Sequence, residues 1–354
     1  MTTILSFIFV LGILIFVHEL GHFLVAKSVG IRVEKFSLGF PPKLISFRYG
    51  ETEYCISIIP LGGYVKMAGE HPDESEITGA PDEFMSKTPL QRAAVIAAGP
   101  VMNVVTAFLI YTVLFWSQGE PRRFEDKVVV GYIQPDSPAD LAGLKPDDHI
   151  LSVNSVSVKT VQDMVEIIRN KAGEEVSLVY NRDGASNTVA IVPALDTIVN
   201  VKGEKEGIGR IGIGDKVWWE PVGFFAGITN GAGRTWEMTE LVAGFFYKLI
   251  SGQVSARMVG GPLFIAEFSG EAARQGLAVL FEFIAMLSVN LAIVNVLPIP
   301  VLDGGHLVFL AIESVRRKPL SLKQRAVMQQ VGLAFLLMII IFVTYNDITR
   351  WITS

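Results

Sequence analysis

Phe16-Val17-His18-Glu19-Leu20-Gly21-His22 carries an H-E-x-x-H pattern inside an apolar run that begins at Ile4. On a helix, positions i and i+4 share a face, so His18 and His22 can grip one Zn²⁺ from the same side. Glu19 then stands beside the ion, where a zinc-bound water needs a base. No charged residue occurs from Ile4 to Val17, and apolar residues resume at Phe23-Leu24-Val25-Ala26. Ionisable side chains in such a segment are costly in lipid and therefore read as functional. A chance match on a buried helix is the plainer alternative.

The rest of the composition agrees with a membrane setting. Half of the 354 residues are hydrophobic, and the mean hydropathy is +0.44, which points to several spans with soluble insertions. The net charge of −5 provides no basic field for nucleic acid, and no helical face carries a Lys/Arg stripe. Cys55 is the single cysteine, which excludes an intrachain disulfide and a cysteine-built zinc site. Any metal must be held by His, Asp and Glu. The first apolar run follows Met1-Thr2-Thr3 without a basic residue or a small-residue cleavage site, so it is expected to be a retained span.

Four stretches, roughly 4–26, 93–117, 277–297 and 326–345, are long and apolar enough to cross a bilayer. Lys27, Arg32, Lys35, Lys43 and Arg48 follow the first; Lys87 and Arg92 precede the second; Arg316, Arg317, Lys318, Lys323 and Arg325 separate the third from the fourth. The positive-inside rule places these clusters in the cytoplasm and both termini outside. Arg122 and Arg123 fall on the other side, but among Glu120, Glu125 and Asp126.

Between the first two spans, alternation over 43–49 and 53–59 around Gly50-Glu51 predicts a β-hairpin, broken by Pro60-Leu61-Gly62-Gly63 before Tyr64-Val65-Lys66-Met67. Its free edge can take an extended peptide as an added strand, or the hairpin is a small structural sheet. The stretch from His71 to Glu83 reads as an acidic, solvated loop. In the second span, Gly99-Pro100 predicts a kink, and Asn103 either faces a neighbouring buried site or only fills the bundle. From 126 to about 214 the chain turns β-rich, with strands at 128–133, 149–154, 175–181 and 188–192, a short helix at 137–144 and an amphipathic helix at 161–170. Residues 216–274, with Trp218, Trp219 and Trp236, suit helices lying in the membrane interface rather than a fifth span.

Two histidines leave a catalytic zinc one protein ligand short. Asn295-Val296-Leu297-Pro298-Ile299-Pro300-Val301-Leu302-Asp303-Gly304-Gly305-His306 stands at the cytoplasmic end of the third span, and Asp303 is the only acid between Glu282 and Glu313. Topology brings it to the depth of His18 and His22. An Asp-Gly turn is the bland reading; a third ligand is the sharper one. His306 reads as an ordinary interfacial residue, and His71 and His149 take no role.

Ser137-Pro138-Ala139-Asp140-Leu141-Ala142-Gly143-Leu144, leading into Asp148-His149-Ile150-Leu151-Ser152-Val153-Asn154, resembles a bacterial, circularly permuted PDZ domain, with 209–213 similar to its peptide-binding loop and strand. With H-E-x-x-H in a first span and N-x-x-P-x-P-x-L-D-G in a later one, the whole chain resembles the site-2 protease family of intramembrane zinc metalloproteases. Within that family it is most similar to the bacterial regulator-of-sigma-E protease branch. The resemblance extends to Gly62-Gly63-Tyr64-Val65-Lys66-Met67 and to Ala98-Gly99-Pro100-x-x-Asn103. It implies a polytopic α-helical membrane protein with about four transmembrane helices, a cytoplasmic-side membrane-associated β-hairpin region and an inserted extracytoplasmic PDZ domain. The expected layout is a first transmembrane helix at 1–30, the hairpin region and a loop at 31–91, a second helix at 92–118 and the PDZ domain at 124–215. Interfacial helices at 216–274, a third transmembrane helix at 275–312, a basic loop at 313–325 and a fourth helix at 326–346 follow.

The resemblance further implies one Zn²⁺ held by His18, His22 and Asp303, with Glu19 as general base and Asn295, Pro298 and Pro300 at the substrate; Asn103 is added as a fourth substrate-binding candidate. Implied partners are single-span membrane proteins, such as anti-sigma factors or signal-peptide remnants, peptides or chain termini at the PDZ domain, and the lipid bilayer of a bacterial inner membrane, with no nucleic acid. Several members of the branch carry two tandem PDZ domains, whereas this chain has room for one. Two rivals remain at this level: a membrane-anchored zinc peptidase acting on soluble chains, and a non-catalytic PDZ scaffold.

Overall fold

The computed structural model describes residues 2–70, 79–200, 204–318 and 320–353. In chain order, helix α1 (Thr2–Ser28) leads into two long strands, β1 (Val33–Tyr49) and β2 (Thr52–Met67), and helix α2 (Pro89–Gln118). Next come β3 (Glu120–Arg123), β4 (Val128–Ile133), the one-turn helix α3 (Pro138–Leu141), β5 (His149–Val153), β6 (Val156–Ser157) and α4 (Val161–Arg169). Strands β7 (Val176–Arg182), β8 (Ala185–Ile191), β9 (Ala194–Val199), β10 (Lys205–Arg210), β11 (Ile213–Asp215) and β12 (Val217–Glu220) follow. Helices α5 (Phe224–Ile250), α6 (Pro262–Gln275), α7 (Leu277–Val296), α8 (Asp303–Arg316) and α9 (Leu322–Thr353) come last. Two units emerge: 1–114 with 225–248 and 259–354, and 115–224 with 249–258.

Among the described residues, α1, α2, α7 and α9 are long and apolar enough to cross a membrane. Leucine-rich surface gives apolar helices no reason to prefer one another over lipid, so close packing at small residues sets their contacts. Gly21 of α1 shows this: a Cβ there would collide with the Ala98 carbonyl of α2 and stand 2.9 Å from Met102 Cβ. Val10 and Leu14 of α1, Ala272 of α6, and Leu280, Phe283 and Ile284 of α7 form one buried cluster. Within α9, Val331, Leu333, Phe335, Leu337 and Ile341 turn outward, as expected for a lipid-facing surface.

The third expected span, 275–312, is not one helix. It ends at Val296 and restarts at Asp303, with Leu297 extended. Pro298 and Pro300 lack the N–H groups a continuous helix needs, so the break follows from their positions. Val301 takes φ +89°, a conformation that costs a β-branched residue about 1–3 kcal/mol and tends to mark functional segments.

The hairpin is longer than the alternation suggested. Lys43–Tyr49 and Thr52–Ser57 pair as expected, but Lys35, Phe36, Ser37 and Leu38 each pair twice, with Glu53–Ile56 and with Gly63–Lys66. The expected break at 60–63 is therefore a fold-back that carries β2 to the other side of β1. The base of this sheet packs on α1 and α2 through Ala26, Val33, Phe36, Val65, Met67 and Val95. Its far end exposes Leu44, Ile45, Phe47 and Tyr49, an apolar edge that water disfavours. Of the expected loop at 71–83, residues 71–78 with His71 lie outside the described residues. The remainder is held down: Glu83 is buried and Asp82 accepts from Arg32 Nε at 2.8 Å.

The second unit is a β-domain whose sheet runs β11-β4-β5-β7-β8, with β6 on β5. Val128, Val130, Ile150, Val153, Val176 and Leu178 fill its core together with Met164 and Ile168 of α4. That helix starts on a capping box, Thr160 accepting from Asp163 N while Asp163 receives the Thr160 N–H, which satisfies donors a helix start leaves open. Asp148, 1% exposed, takes a two-pronged bond from Arg182, both at 2.7 Å. Burial raises its pKa, but the Arg182 hydrogen bond and the Lys145 N–H outweigh that and leave it below the usual carboxylate range. Strand β11 is an edge strand, entered through Gly212 at φ +80°. Strands β3 and β12 pair from Glu120↔Glu220 to Arg123↔Val217 and tie the two ends of the domain together.

Candidate metal centre and catalytic cavity

Four turns into α1, His18 and His22 point to one side, as their spacing requires. Their Nε2 atoms lie 3.2 Å apart. Asp303, the first residue of α8, closes the set: Oδ2 is 3.2 Å from His18 Nε2 and Oδ1 is 3.5 Å from His22 Nε2. Tetrahedral zinc with ligand bonds near 2.05 Å spaces its ligand atoms about 3.3 Å apart. The His18–His22 separation matches that edge, one ligand atom from each of the three residues lies within 4.8 Å of the other two, and Asp303 Oδ2 is buried without a hydrogen bond among the described residues. These donors therefore suit Zn²⁺.

Two local features bring the ligands together. The Asp-Gly-Gly start of α8 lets it press on the chain it has just left: a Cβ on Gly304 would collide with the carbonyls of Val296 and Leu297. The histidines are pinned by α2. His22 Nδ1 donates to the Val95 carbonyl at 2.8 Å, and the Asn103 carboxamide lies 3.2 Å from His18 Nδ1. Between them sits Gly99, where a Cβ would overlap His22 Nε2 and lie 2.6 Å from His18 Cε1. Val95, Gly99 and Asn103 are four residues apart on one helical face, and that spacing was the available signal for a second layer around the histidines.

Asn103 thus departs from its expected place at the substrate. It is fully buried, and its amide meets an imidazole. When Nε2 of His18 faces a metal, Nδ1 carries the proton and needs an acceptor, which selects Oδ1 of Asn103 for that side. Replacing Asn103 with leucine removes the acceptor and is expected to weaken zinc binding about 10–100-fold. Zinc titration of the purified variant measures this, and native affinity would remove Asn103 from the histidine's support.

The triad opens into a cavity of about 600 Å³, whose wall includes Glu19, Glu70, Asn295, Val301 and His306. Glu19 backs onto the hairpin, since a Cβ on Gly63 would lie 3.0 Å from its Cγ. Asn295, expected at the substrate, lines the cavity, whereas Pro298 and Pro300 lie in the break between α7 and α8. His306, read from sequence as interfacial, is part of the cavity wall. Arg92 of α2, Glu313 of α8 and Arg325 of α9 also reach it; no motif signalled them.

Residues 6–339 match peptidase family M50. The chain is a member of that family. The zinc metalloprotease RasP of Oceanobacillus iheyensis is 32% identical over 99% of both chains. The regulator of sigma-W protease RasP of Bacillus subtilis is 32% identical over 98% of both, and a relative in Rhizobium meliloti is 36% identical over 99% of this chain and 97% of its own. Among solved structures, the PDZ domain of an SdrC-like protein from Listeria innocua aligns at 29% identity over 25% of this chain and 93% of its own, with a TM-score of 0.20. The M50 chain is a zinc metalloprotease and a membrane protein, and zinc is its cofactor.

Proposed function

We propose that this M50 protease hydrolyses peptide bonds of single-span membrane proteins within or beside the bilayer, with His18, His22 and Asp303 holding zinc and Glu19 as general base. The observation that supports this reading is the convergence of one ligand atom from each of His18, His22 and Asp303, all within 4.8 Å of one another, with both histidines on a helix long and apolar enough to cross a membrane. Bound zinc supplies a Lewis acid and brings water acidity towards neutrality.

The chain's own residues do the rest. Glu19 takes the proton of the attacking water and returns it to the departing amine. A helical substrate hides its peptide groups in internal hydrogen bonds and must unwind first. The Asn295 amide offers both a donor and an acceptor to the unwound backbone, beside a segment that Pro298 and Pro300 keep non-helical. The sheet edge at the hairpin takes the substrate as an added strand, and the β-domain, read as a PDZ domain outside the cytoplasm, receives peptides or chain ends at β11. Positive charge places the catalytic end of α1 near the cytoplasmic face of a bacterial inner membrane, with both termini outside.

The Bacillus subtilis relative is named for regulating sigma-W. That name favours membrane-bound regulators of a sigma factor as substrates here, with signal-peptide remnants as a second group. The deciding experiment reconstitutes the full chain in liposomes with a transmembrane reporter and a soluble chain carrying the same cut sequence. Cleavage of the reporter alone, abolished by a zinc chelator and restored by zinc, is expected. Preferential cleavage of the soluble chain would sink the intramembrane reading.

A further inference from the structure

Arg92 stands three residues before Val95 on α2, roughly 4.5 Å along the helix from the carbonyl that holds His22. Arg325 reaches the same cavity from α9, and Glu313 from α8. The three side chains are largely buried, at 13%, 20% and 7% exposure. Glu313 spends Oε1 on the Leu320 N–H at 3.0 Å and on Arg325 Nη2, and Oε2 lies 3.6 Å from Arg92 Nη1. Beyond that, the guanidiniums' hydrogen-bond partner among the described residues is the Met85 sulfur, at 3.6 Å and 4.0 Å, a weak acceptor. The Nε atoms of both arginines are buried with no hydrogen-bond partner among the described residues.

The charge sum is uneven. Among the described residues two guanidiniums share one carboxylate, which leaves one buried positive charge unmatched, and buried N–H groups without acceptors are costly. Other acids on the cavity wall are committed: Glu19 and Asp303 to the metal end, and Glu70 to the Met67 N–H at 3.2 Å. What the arrangement lacks among the described residues is a second carboxylate, the group a guanidinium fork matches best. A peptidase makes such a group in this cavity at every turnover, because hydrolysis leaves a carboxylate on the carbonyl side of the broken bond.

We propose that Arg92 and Arg325 form a carboxylate-binding subsite in the wall of the catalytic cavity. It takes either the C-terminus that hydrolysis releases or an acidic side chain of the substrate. The inference rests on the proteolytic reading above. It predicts that the product is retained through its new C-terminus, or that acidic residues near the cut favour binding.

The test uses the purified full chain and an acid-free transmembrane reporter. A short apolar peptide is added as an inhibitor, once with a free C-terminal carboxylate and once as the amide. The acid is expected to inhibit about tenfold more strongly than the amide, the scale of one hydrogen bond to a charged partner. Arg92→Gln leaves Glu313 matched by Arg325 and should collapse that ratio towards one. If Arg92→Gln fails to fold, Arg325→Gln removes the same excess charge.

A second arm compares reporters carrying Glu or Gln beside the cut. A lower KM for the Glu reporter, erased by Arg92→Gln, assigns the side chain as the ligand; a response of the inhibitor arm alone assigns the C-terminus. An acid-to-amide ratio that is unchanged in the arginine variants, with no reporter preference, overturns the subsite, since the carboxylate is then held elsewhere, for instance by zinc. Absence of any cleavage by the native chain would instead defeat the proteolytic reading.

Discussion

Glu19→Gln is expected to cut turnover of a transmembrane reporter by about 10²–10⁴-fold while the chain keeps its fold and its zinc. The size follows from the role: a positioned general base supplies that range, about 3–5 kcal/mol of barrier. Zinc content should not move, because Glu19 is not one of the converging donors, which are His18, His22 and Asp303. The amide keeps the shape that packs near Gly63 of the hairpin, so the substitution removes proton transfer and little else. Zinc analysis, a melting curve and a reporter assay on the same preparation check each part. Turnover within a few-fold of native in a fully zinc-loaded variant would remove Glu19 from the chemistry.

Gly99→Ala is expected to be nearly as damaging to activity although glycine carries no chemistry. The added Cβ would overlap His22 Nε2 and stand 2.6–2.8 Å from ring atoms of His18. Neither ring can swing away freely, because the Val95 carbonyl and the Asn103 amide fix their outer nitrogens. Something must move by about an ångström, and displacements of that size at a reacting centre cost on the order of 10²-fold. Zinc affinity should fall with activity, while overpacking costs the bundle about 1–3 kcal/mol, a loss the apolar helices can absorb. Gly12→Ala is the control, since a Cβ at Gly12 of α1 meets nothing within 4 Å. Native zinc affinity and turnover in Gly99→Ala would mean the histidines are held less tightly than their hydrogen bonds indicate.

Much of this protein was legible in the residue order because the signals are local. The H-E-x-x-H spacing on a helix, the four apolar runs, the alternation of the β-domain and the proline-broken stretch before Asp303 each depend on neighbours a few residues away. Even the pairing of Asp303 with the histidines followed from the depth that charge distribution assigns to each span. What the chain order left open was rotation and partnership. From Ile4 to Val17 helix α1 is apolar all round, so no stripe there tells which face turns inward; Gly21 and Gly99, by letting α1 and α2 approach closely, set the rotation.

The same physics explains the surprises. Asn103 was expected at the substrate because a lone amide in a span demands a partner, yet which partner depends on a contact 85 residues away. The fold-back of β2 depends on both edges of β1 being used, which alternation along one strand cannot express. The joining of Arg92, Glu313 and Arg325 depends on three helices converging, and each residue alone looks like an ordinary interfacial charge. Residue order fixed which chemical groups are present and at what depth; packing between helices, driven by shape where lipid removes the hydrophobic preference, settled which of them meet.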